Sequence, residues 1–231
     1  LRPRNPASGS CGCHGYGRAA YQPETPNPGA TVAQAQQIEP FRISVPDAQI
    51  ADLRQRLVDT RWPDQIPGSG WDYGCDLSWL QDLAAYWADG FDWRAAEARL
   101  NSSDQVVTTI DGQRIHAIHQ RSPEPGALPL LISHGWPGSV VEFEKVIGPL
   151  TDPVAHGGDP ADAFHVIAPS LPGFTWSGPT TQPGWGVGRT ATAFAELAAT
   201  LGYDRYGVQG GDWGSMISRQ IAAAAPDSVV G

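Results

Sequence analysis

The first readable pattern along the chain is a helical repeat of apolar residues in its N-terminal half. The repeat is carried by Ile50, Leu53 and Leu57. Because residues at this spacing share one face of a helix, the repeat predicts an amphipathic helix, with Ser44 as its N-cap. The same kind of spacing predicts two further helices, one from about residue 78 and one over residues 93–100. The part of the chain that contains these three repeats is therefore predicted to be a helical segment.

A different pattern follows, in which short apolar runs are bounded by turn residues. The predicted strands cover residues 106–110, 114–119, 128–133, 164–168 and 206–209, and the predicted helices cover residues 140–150, 190–201 and 215–225. Asp111-Gly112, between the first two strands, favours a two-residue hairpin turn. Strands that alternate with helices predict an α/β fold, with a mostly parallel sheet and helices on both of its faces.

These patterns divide the chain into three predicted parts. Residues 1–37 are rich in proline and glycine and lack apolar periodicity, so we expect a disordered tail. Residues 38–102 form the small helical segment, and residues 103–231 form the α/β domain. Since a structural zinc site needs four ligands, a metal site in the tail is not expected from its three candidate ligands, Cys11, Cys13 and His14.

Composition and charge narrow the function classes. The net charge is −9, and the 14 arginines and single lysine form no dense basic run, which disfavours nucleic acid and anionic membranes as partners. No apolar stretch approaches the roughly 18 residues that a membrane-spanning helix needs. We therefore expect a cytoplasmic protein without a membrane span, and no cofactor or metal is predicted.

The motif with the most chemical content is Gly210-Gly211-Asp212-Trp213-Gly214, between a predicted strand and a predicted helix. Glycines two residues before and after a central side chain permit a sharp strand-to-helix turn, which presents that side chain in a cleft. A carboxylate held there can attack an electrophilic carbon and form an ester. An exposed Gly-Asp turn would have the same sequence, so the motif alone leaves both readings open.

A second motif, residues 134–139 (HGWPGS), directly follows the strand predicted over residues 128–133. In α/β-hydrolases an His-Gly loop at this place supplies one oxyanion-hole amide, and the residue after the nucleophile supplies the other. The corresponding donors are the backbone N–H groups of Trp136 and Trp213. Pro137 has no N–H and is expected to lock the loop, with a cis bond as one means. The alternative is a tight turn in which His134 is satisfied by local backbone.

Together with tryptophan-containing motifs elsewhere, these two motifs resemble the epoxide hydrolase family, in its microsomal-type branch with a dedicated N-terminal domain. The matching stretches are residues 60–64, 71–74, 86–87, 91–94, 100–101, 134–139, 169–174 and 210–215, within residues 39–231. The resemblance implies an α/β-hydrolase fold that opens a small hydrophobic epoxide with water, through an ester on Asp212. It also implies that the amides of Trp136 and Trp213 form the oxyanion hole, and that Trp136, Trp213 and Phe174 contact substrate.

The resemblance also predicts that part of the family's machinery is missing. In the family the histidine base follows the nucleophile in the chain, whereas all six histidines here precede Asp212. We therefore expect the chain to correspond to the first part of such an enzyme, without the lid, the last strands, the acid partner of the histidine or the lid tyrosines. The expectation is that this chain is inactive while its full-length parent hydrolyses epoxides.

Two alternatives stay open at this stage. A haloalkane dehalogenase shares the aspartate nucleophile, and the tryptophan that follows it can bind the leaving halide. A truncated, non-catalytic binding protein is the other alternative, because no histidine follows Asp212. Neither substrate identity nor oligomeric state follows from the sequence.

Overall fold

The computed structural model describes residues 37–231, and six strands of this range form one sheet. The strands are β1 (Glu39–Pro40), β2 (Gln105–Ile110), β3 (Gln113–Gln120), β4 (Leu128–Ser133), β5 (Phe164–Pro169) and β6 (Gly207–Gly210). Their order across the sheet is β1-β2-β3-β5-β4-β6. The longer strands lie within one or two residues of the positions predicted from the apolar runs, and β4 covers the predicted residues.

The direction of the strands differs from the prediction of a mostly parallel sheet. Only β5, β4 and β6 run parallel, whereas β1, β2, β3 and β5 pair antiparallel, so the sheet is mixed. For the pair β2–β3 the reason is the short connection between the two strands. Asp111 and Gly112 both have positive φ, at 50° and 71°, and form the two-residue hairpin turn that the sequence predicted. Such a turn can join only antiparallel strands.

Six α-helices accompany the strands within residues 37–231. They are α1 (Asp47–Val58), α2 (Leu77–Ala85), α3 (Trp93–Leu100), α4 (Glu144–Thr151), α5 (Val187–Thr200) and α6 (Trp213–Ala224). A π-helical turn over Tyr86–Gly90 extends α2, and a 3-10 turn over Val140–Phe143 leads into α4. The sequence predicted the existence of each of these α-helices, and the residues of each to within a few positions at either end.

The prediction of Ser44 as the N-cap of α1 was wrong. The N-cap is Pro46, and no side chain caps the helix at this end. The residue before a proline is kept out of the helical region, so the chain enters the helix only after Pro46. The preceding backbone is held from another element instead, because the N–H of Val45 donates to the carboxylate of Glu97 at 2.7 Å.

Apolar side chains on the two faces of the sheet form two separate clusters. On neighbouring positions of β4, Leu131 faces the cluster that includes Phe194 of α5 and Ile217 of α6, while Ile132 faces the cluster that includes Ile147 of α4. This alternation follows from the period of two along a strand. Helices therefore cover both faces of the sheet, as predicted for the α/β-hydrolase fold.

The helical segment is tied to the sheet by hydrogen bonds that the sequence pattern did not indicate. Strand β1 pairs with β2, and the side chain of Gln105 in β2 donates to the Leu100 carbonyl at 2.9 Å. Within the segment, the side chain of Asn101 accepts from the N–H of Ile43 and donates to its carbonyl, both at 2.8 Å. The predicted boundary between residues 102 and 103 stays a prediction, and the tail predicted over residues 1–37 lies outside the described residues except for residue 37. Within residues 37–231, every helix is too short or too polar to span a bilayer.

Candidate active site

The chain makes a sharp turn between β6 and α6, and Asp212 is the residue at its centre. Its backbone has φ 53° and ψ −123°, and α6 begins at the next residue, Trp213. A positive φ is uncommon for a residue with a side chain, and such conformations concentrate at functional sites. The structure therefore has the strained strand-to-helix turn that the glycine spacing predicted.

The glycines on either side of Asp212 permit close contacts between backbone segments. A Cβ on Gly210 would lie 2.3 Å from the carbonyl carbon of Gly214, and a Cβ on Gly214 would lie 2.0 Å from the carbonyl oxygen of Ser133. Ser133 is the last residue of β4, so the start of α6 rests directly on the end of the neighbouring strand. A larger residue at Gly210 would push β6 and α6 apart, and a larger residue at Gly214 would push α6 and β4 apart.

The turn and the loop after β4 meet at the Asp212 carboxylate. The backbone N–H of Trp136 donates to Asp212 Oδ1 at 2.8 Å, across 76 residues of sequence. A Cβ on Gly135 would lie 2.4 Å from the same oxygen, so the carboxylate packs against the peptide that joins Gly135 to Trp136. Asp212 is exposed to solvent, but it lies against the loop over residues 134–139 and not on a remote surface turn.

Two backbone donors stabilise the ionised form of this carboxyl. The N–H of Trp136 makes the largest contribution to a lowered pKa of Asp212, and the N–H of Trp213 makes the second, while slight burial acts in the opposite direction. Hydrogen bonds to the charged form favour that form. Asp212 is therefore a carboxylate at neutral pH, with both predicted oxyanion-hole amides directed at it.

The loop that supplies the Trp136 donor is held in several ways. The Trp136–Pro137 peptide bond is cis, and the N–H of Gly138 donates to the Gly135 carbonyl at 2.9 Å. Ser139 and Glu142 form a reciprocal capping box at the start of the following 3-10 turn. The sequence carried the signal for this box, a serine followed three residues later by glutamate.

His134, the first residue of the loop, is 1% exposed and bonds on both sides of its ring. Its Nδ1 lies 2.9 Å from the Gly135 carbonyl oxygen, and its Nε2 accepts from the N–H of Leu171 at 3.1 Å. Burial lowers the pKa of His134. The local half of this arrangement was anticipated from the sequence, whereas the bond to Leu171 was missed, since no local pattern connects the two residues.

The three residues predicted to contact substrate have different surroundings. Trp136 and Trp213 flank the carboxylate and remain 67% and 43% exposed, so their rings are accessible. Phe174 is half-buried and packs edge-on against the His134 ring, with centroids 5.5 Å apart. Phe174 therefore reaches the site through His134, and substrate contact by all three residues stays a prediction.

A chain of hydrogen bonds, buried except at Thr175, supports the loop that follows β5. Thr175 donates to Ser170 Oγ at 2.9 Å, Ser170 Oγ lies 2.9 Å from His116 Nδ1, and His116 Nε2 lies 2.9 Å from Gln105 Oε1. Burial, with a smaller effect from Arg114, lowers the pKa of His116 to about 3. His116 is therefore neutral and has a structural role.

Metal ligation finds no support in the part of the chain that the structure covers. No group of three or more histidine, cysteine, aspartate or glutamate side chains in residues 37–231 is arranged to hold a metal ion. Cys11, Cys13 and His14 lie outside that range.

Comparison with family models divides the described chain into two overlapping parts. Residues 38–143 match the model described as the epoxide hydrolase N terminus, and residues 129–231 match the model of the alpha/beta hydrolase fold. The overlap contains the loop over residues 134–139, and the second match contains Asp212. Both motifs at the site therefore fall within matched regions.

Individual relatives show the same similarity. The chain is 50% identical over 194 residues to a Stigmatella aurantiaca protein whose name assigns it provisionally to the epoxide hydrolases, and 38% identical over 198 residues to epoxide hydrolase 1 of Oryctolagus cuniculus. Each match covers 84% of this chain and 44% of the relative. The crystal structure of juvenile hormone epoxide hydrolase from Bombyx mori superposes with a TM-score of 0.77 at 34% identity, covering 85% of this chain and 46% of that one. The chain thus spans less than half the length of these relatives.

Proposed function

The chain belongs to the epoxide hydrolase family of the α/β-hydrolase fold, and from that premise we propose that the protein opens epoxides to vicinal diols through an ester on Asp212. The observation that supports this most directly is the placement of the Trp136 N–H on the carboxylate, with the Trp213 N–H as second donor. A surface Gly-Asp turn would have no reason to meet a donor from a loop so distant in the chain.

In the first step the carboxylate attacks a carbon of the epoxide ring. Trp136 holds Oδ1, so Oδ2 is the oxygen available to form the new carbon–oxygen bond. The ring carbon–oxygen bond breaks at the same time, and the released alkoxide takes a proton from an acid or from water. The lowered pKa of Asp212 keeps the attacking group ionised at neutral pH.

In the second step water attacks the ester carbonyl, and the carbonyl oxygen becomes an oxyanion. That oxygen is Oδ1, already bonded to the Trp136 N–H, so the donor needs no rearrangement as charge develops. Each such donor typically lowers the barrier by about 3 kcal/mol. Collapse of the intermediate breaks the bond between Cγ and Oδ2 of Asp212. Oδ2 leaves with the substrate carbon as one hydroxyl of the diol, and the oxygen from water takes its place in the restored carboxylate.

The second step also needs a base to take a proton from water. The partners of Asp212 in the described structure are backbone amides, and no histidine follows it in the 231 residues. We therefore propose that this chain forms the ester without turning it over, and that a longer chain with a downstream histidine completes the cycle.

The substrate is a small hydrophobic epoxide that contacts Trp136, Trp213 and Phe174. The reaction needs water but no cofactor, and the protein is cytoplasmic.

Trapping of the ester tests the proposal. The purified chain is incubated with styrene oxide, and intact-protein mass spectrometry is followed by peptide mapping. We expect an increase equal to one epoxide molecule, located on Asp212, without steady diol release. Asp212→Asn abolishes the adduct, and the matched variant Asp227→Asn, at an exposed acid in the same C-terminal region, leaves it unchanged.

The same assay separates the alternatives that the sequence left open. A brominated alkane is offered in parallel, and halide release is compared with adduct formation from the epoxide. Reaction with the bromide and not with the epoxide would contradict the proposal in favour of a dehalogenase. An unmodified Asp212 with both compounds, in a chain that is folded, would favour a non-catalytic protein.

A further inference from the structure

The peptide group between Gly135 and Trp136 is restrained on both of its sides. Its N–H is the Trp136 donor to Asp212 Oδ1, and its carbonyl oxygen is Gly135 O. In a planar trans peptide these two groups point in opposite directions, so fixing one of them aims the other. The carbonyl is held by the N–H of Gly138 at 2.9 Å and by Nδ1 of His134 at 2.9 Å.

The bond from Leu171 determines which ring nitrogen of His134 carries the proton. The backbone N–H of Leu171 can only donate, so Nε2 must accept and must be unprotonated. The ring proton of the neutral imidazole is then on Nδ1, where it can donate to the Gly135 carbonyl. Leu171 is 2% exposed, so its N–H has no ready alternative partner in water.

We propose that His134 is a positioning residue that aims the Trp136 N–H at Asp212, by donating from Nδ1 to the Gly135 carbonyl while Leu171 holds Nε2. The imidazole thus connects the loop after β5 to the donor over Asp212 without touching the substrate. A hydrogen bond to the carbonyl also polarises the peptide, which makes its N–H a stronger donor. The contribution of His134 to catalysis rests on the proposed function, whereas the hydrogen bonds of its ring do not depend on it.

Two substitutions separate the two ring nitrogens. Asparagine places an amide N–H near the position of Nδ1, so His134→Asn can keep the donor to Gly135 and lose the acceptor for Leu171. Glutamine places an amide oxygen near the position of Nε2, so His134→Gln can keep the acceptor and lose the donor. Both variants remove the ring that packs on Phe174, and therefore share any loss that arises from packing alone.

The primary readout is NMR on the 231-residue chain, which does not depend on turnover. We expect His134→Gln to move the Trp136 amide proton upfield and to raise the pKa of the Asp212 carboxyl, because the strongest donor to it is no longer aimed. His134→Asn should keep both signals near those of the unsubstituted chain. A purely structural histidine would instead shift both variants alike, or neither, and that result would overturn the proposal.

A measurement without substitution protects the test against variants that do not fold. The 15N shifts of the His134 ring in the unsubstituted chain should show a neutral imidazole protonated at Nδ1, and a ring protonated at Nε2 would overturn the proposal. Where ester formation occurs, its rate constant should fall by roughly tenfold to a hundredfold in His134→Gln, less than the 10²–10³ typical of losing a donor outright. If no variant forms the ester but the NMR changes are found, the positioning role stands and the proposed function fails.

Discussion

Gly214→Ala tests whether the turn at Asp212 depends on direct backbone contact between α6 and β4. The added Cβ would lie 2.0 Å from the carbonyl oxygen of Ser133, 2.7 Å from its carbonyl carbon and 2.9 Å from the carbonyl oxygen of His134. All three atoms belong to backbone, so no flexible side chain can move aside. The start of α6 must therefore move away from the end of β4. Asp212, two residues before Gly214, moves with it.

Two opposing effects set the expected magnitude. Overpacking of a well-packed contact typically costs about 1–3 kcal/mol, and the upper end applies because the clash is with backbone. Alanine gains at most about 1 kcal/mol over glycine in a helix, which offsets part of the cost. We therefore expect a net loss of about 2 kcal/mol in the free energy of unfolding. For a chain of this size that corresponds to a fall in Tm of roughly 4–8 °C.

The assay is urea and thermal denaturation followed by circular dichroism, with Gly211→Ala as matched control. A Cβ on Gly211 would meet no atom within 4 Å, and its φ is not in the left-handed region, so its stability should change by no more than about 0.5 kcal/mol. The Trp136 amide signal should shift in Gly214→Ala and stay unchanged in Gly211→Ala. Equal stability of the two variants would refute the close-approach explanation for Gly214.

Three further predictions follow from the site and its supports. The pKa of Asp212 is lowered mainly by the Trp136 N–H, so ester formation should disappear as pH falls through the pKa of the folded chain. The stability that this hydrogen bond contributes above the pKa of the unfolded carboxyl should be lost over the same pH range. A pH profile of adduct formation checks this, and a profile that stays flat into acid would contradict it. The pKa of His116 is lowered to about 3, so the unfolded chain binds more protons between pH 6.5 and 3, and stability should fall on acidification by up to about 1.4 kcal/mol per pH unit. Urea titrations should lose this component of the slope in His116→Gln, and an unchanged slope would argue against a buried neutral ring. Glu142→Ala removes the hydrogen bond from the Ser139 N–H, one half of the capping box, and should cost about 1 kcal/mol of stability. Glu144→Ala, which loses a partly exposed ion pair, should cost less in the same denaturation assay, and the reverse order would contradict the capping role.

The secondary structure could be predicted from the sequence wherever a local pattern was strong. Helix α3 and strand β4 occupy the predicted residues, because apolar spacing and turn residues act over a few positions. The hairpin turn at Asp111-Gly112 was predicted for the same reason, since both residues tolerate a positive φ. The start of α1 was not predicted, although Pro46 keeps the residue before it out of the helical region; Glu97, distant in the chain, then holds that backbone.

In the candidate site, too, some features follow from local sequence and others only from the tertiary structure. The sequence by itself determined that the chain turns sharply at Asp212, because flanking glycines allow backbone contacts that other residues forbid. Only the tertiary structure decided that Leu171 bonds His134, 37 residues away, and that β3 pairs antiparallel with β5. Local backbone conformation depends on neighbouring residues. By contrast, the meeting of two loops depends on how strands order and pack in space, which no short window of sequence contains.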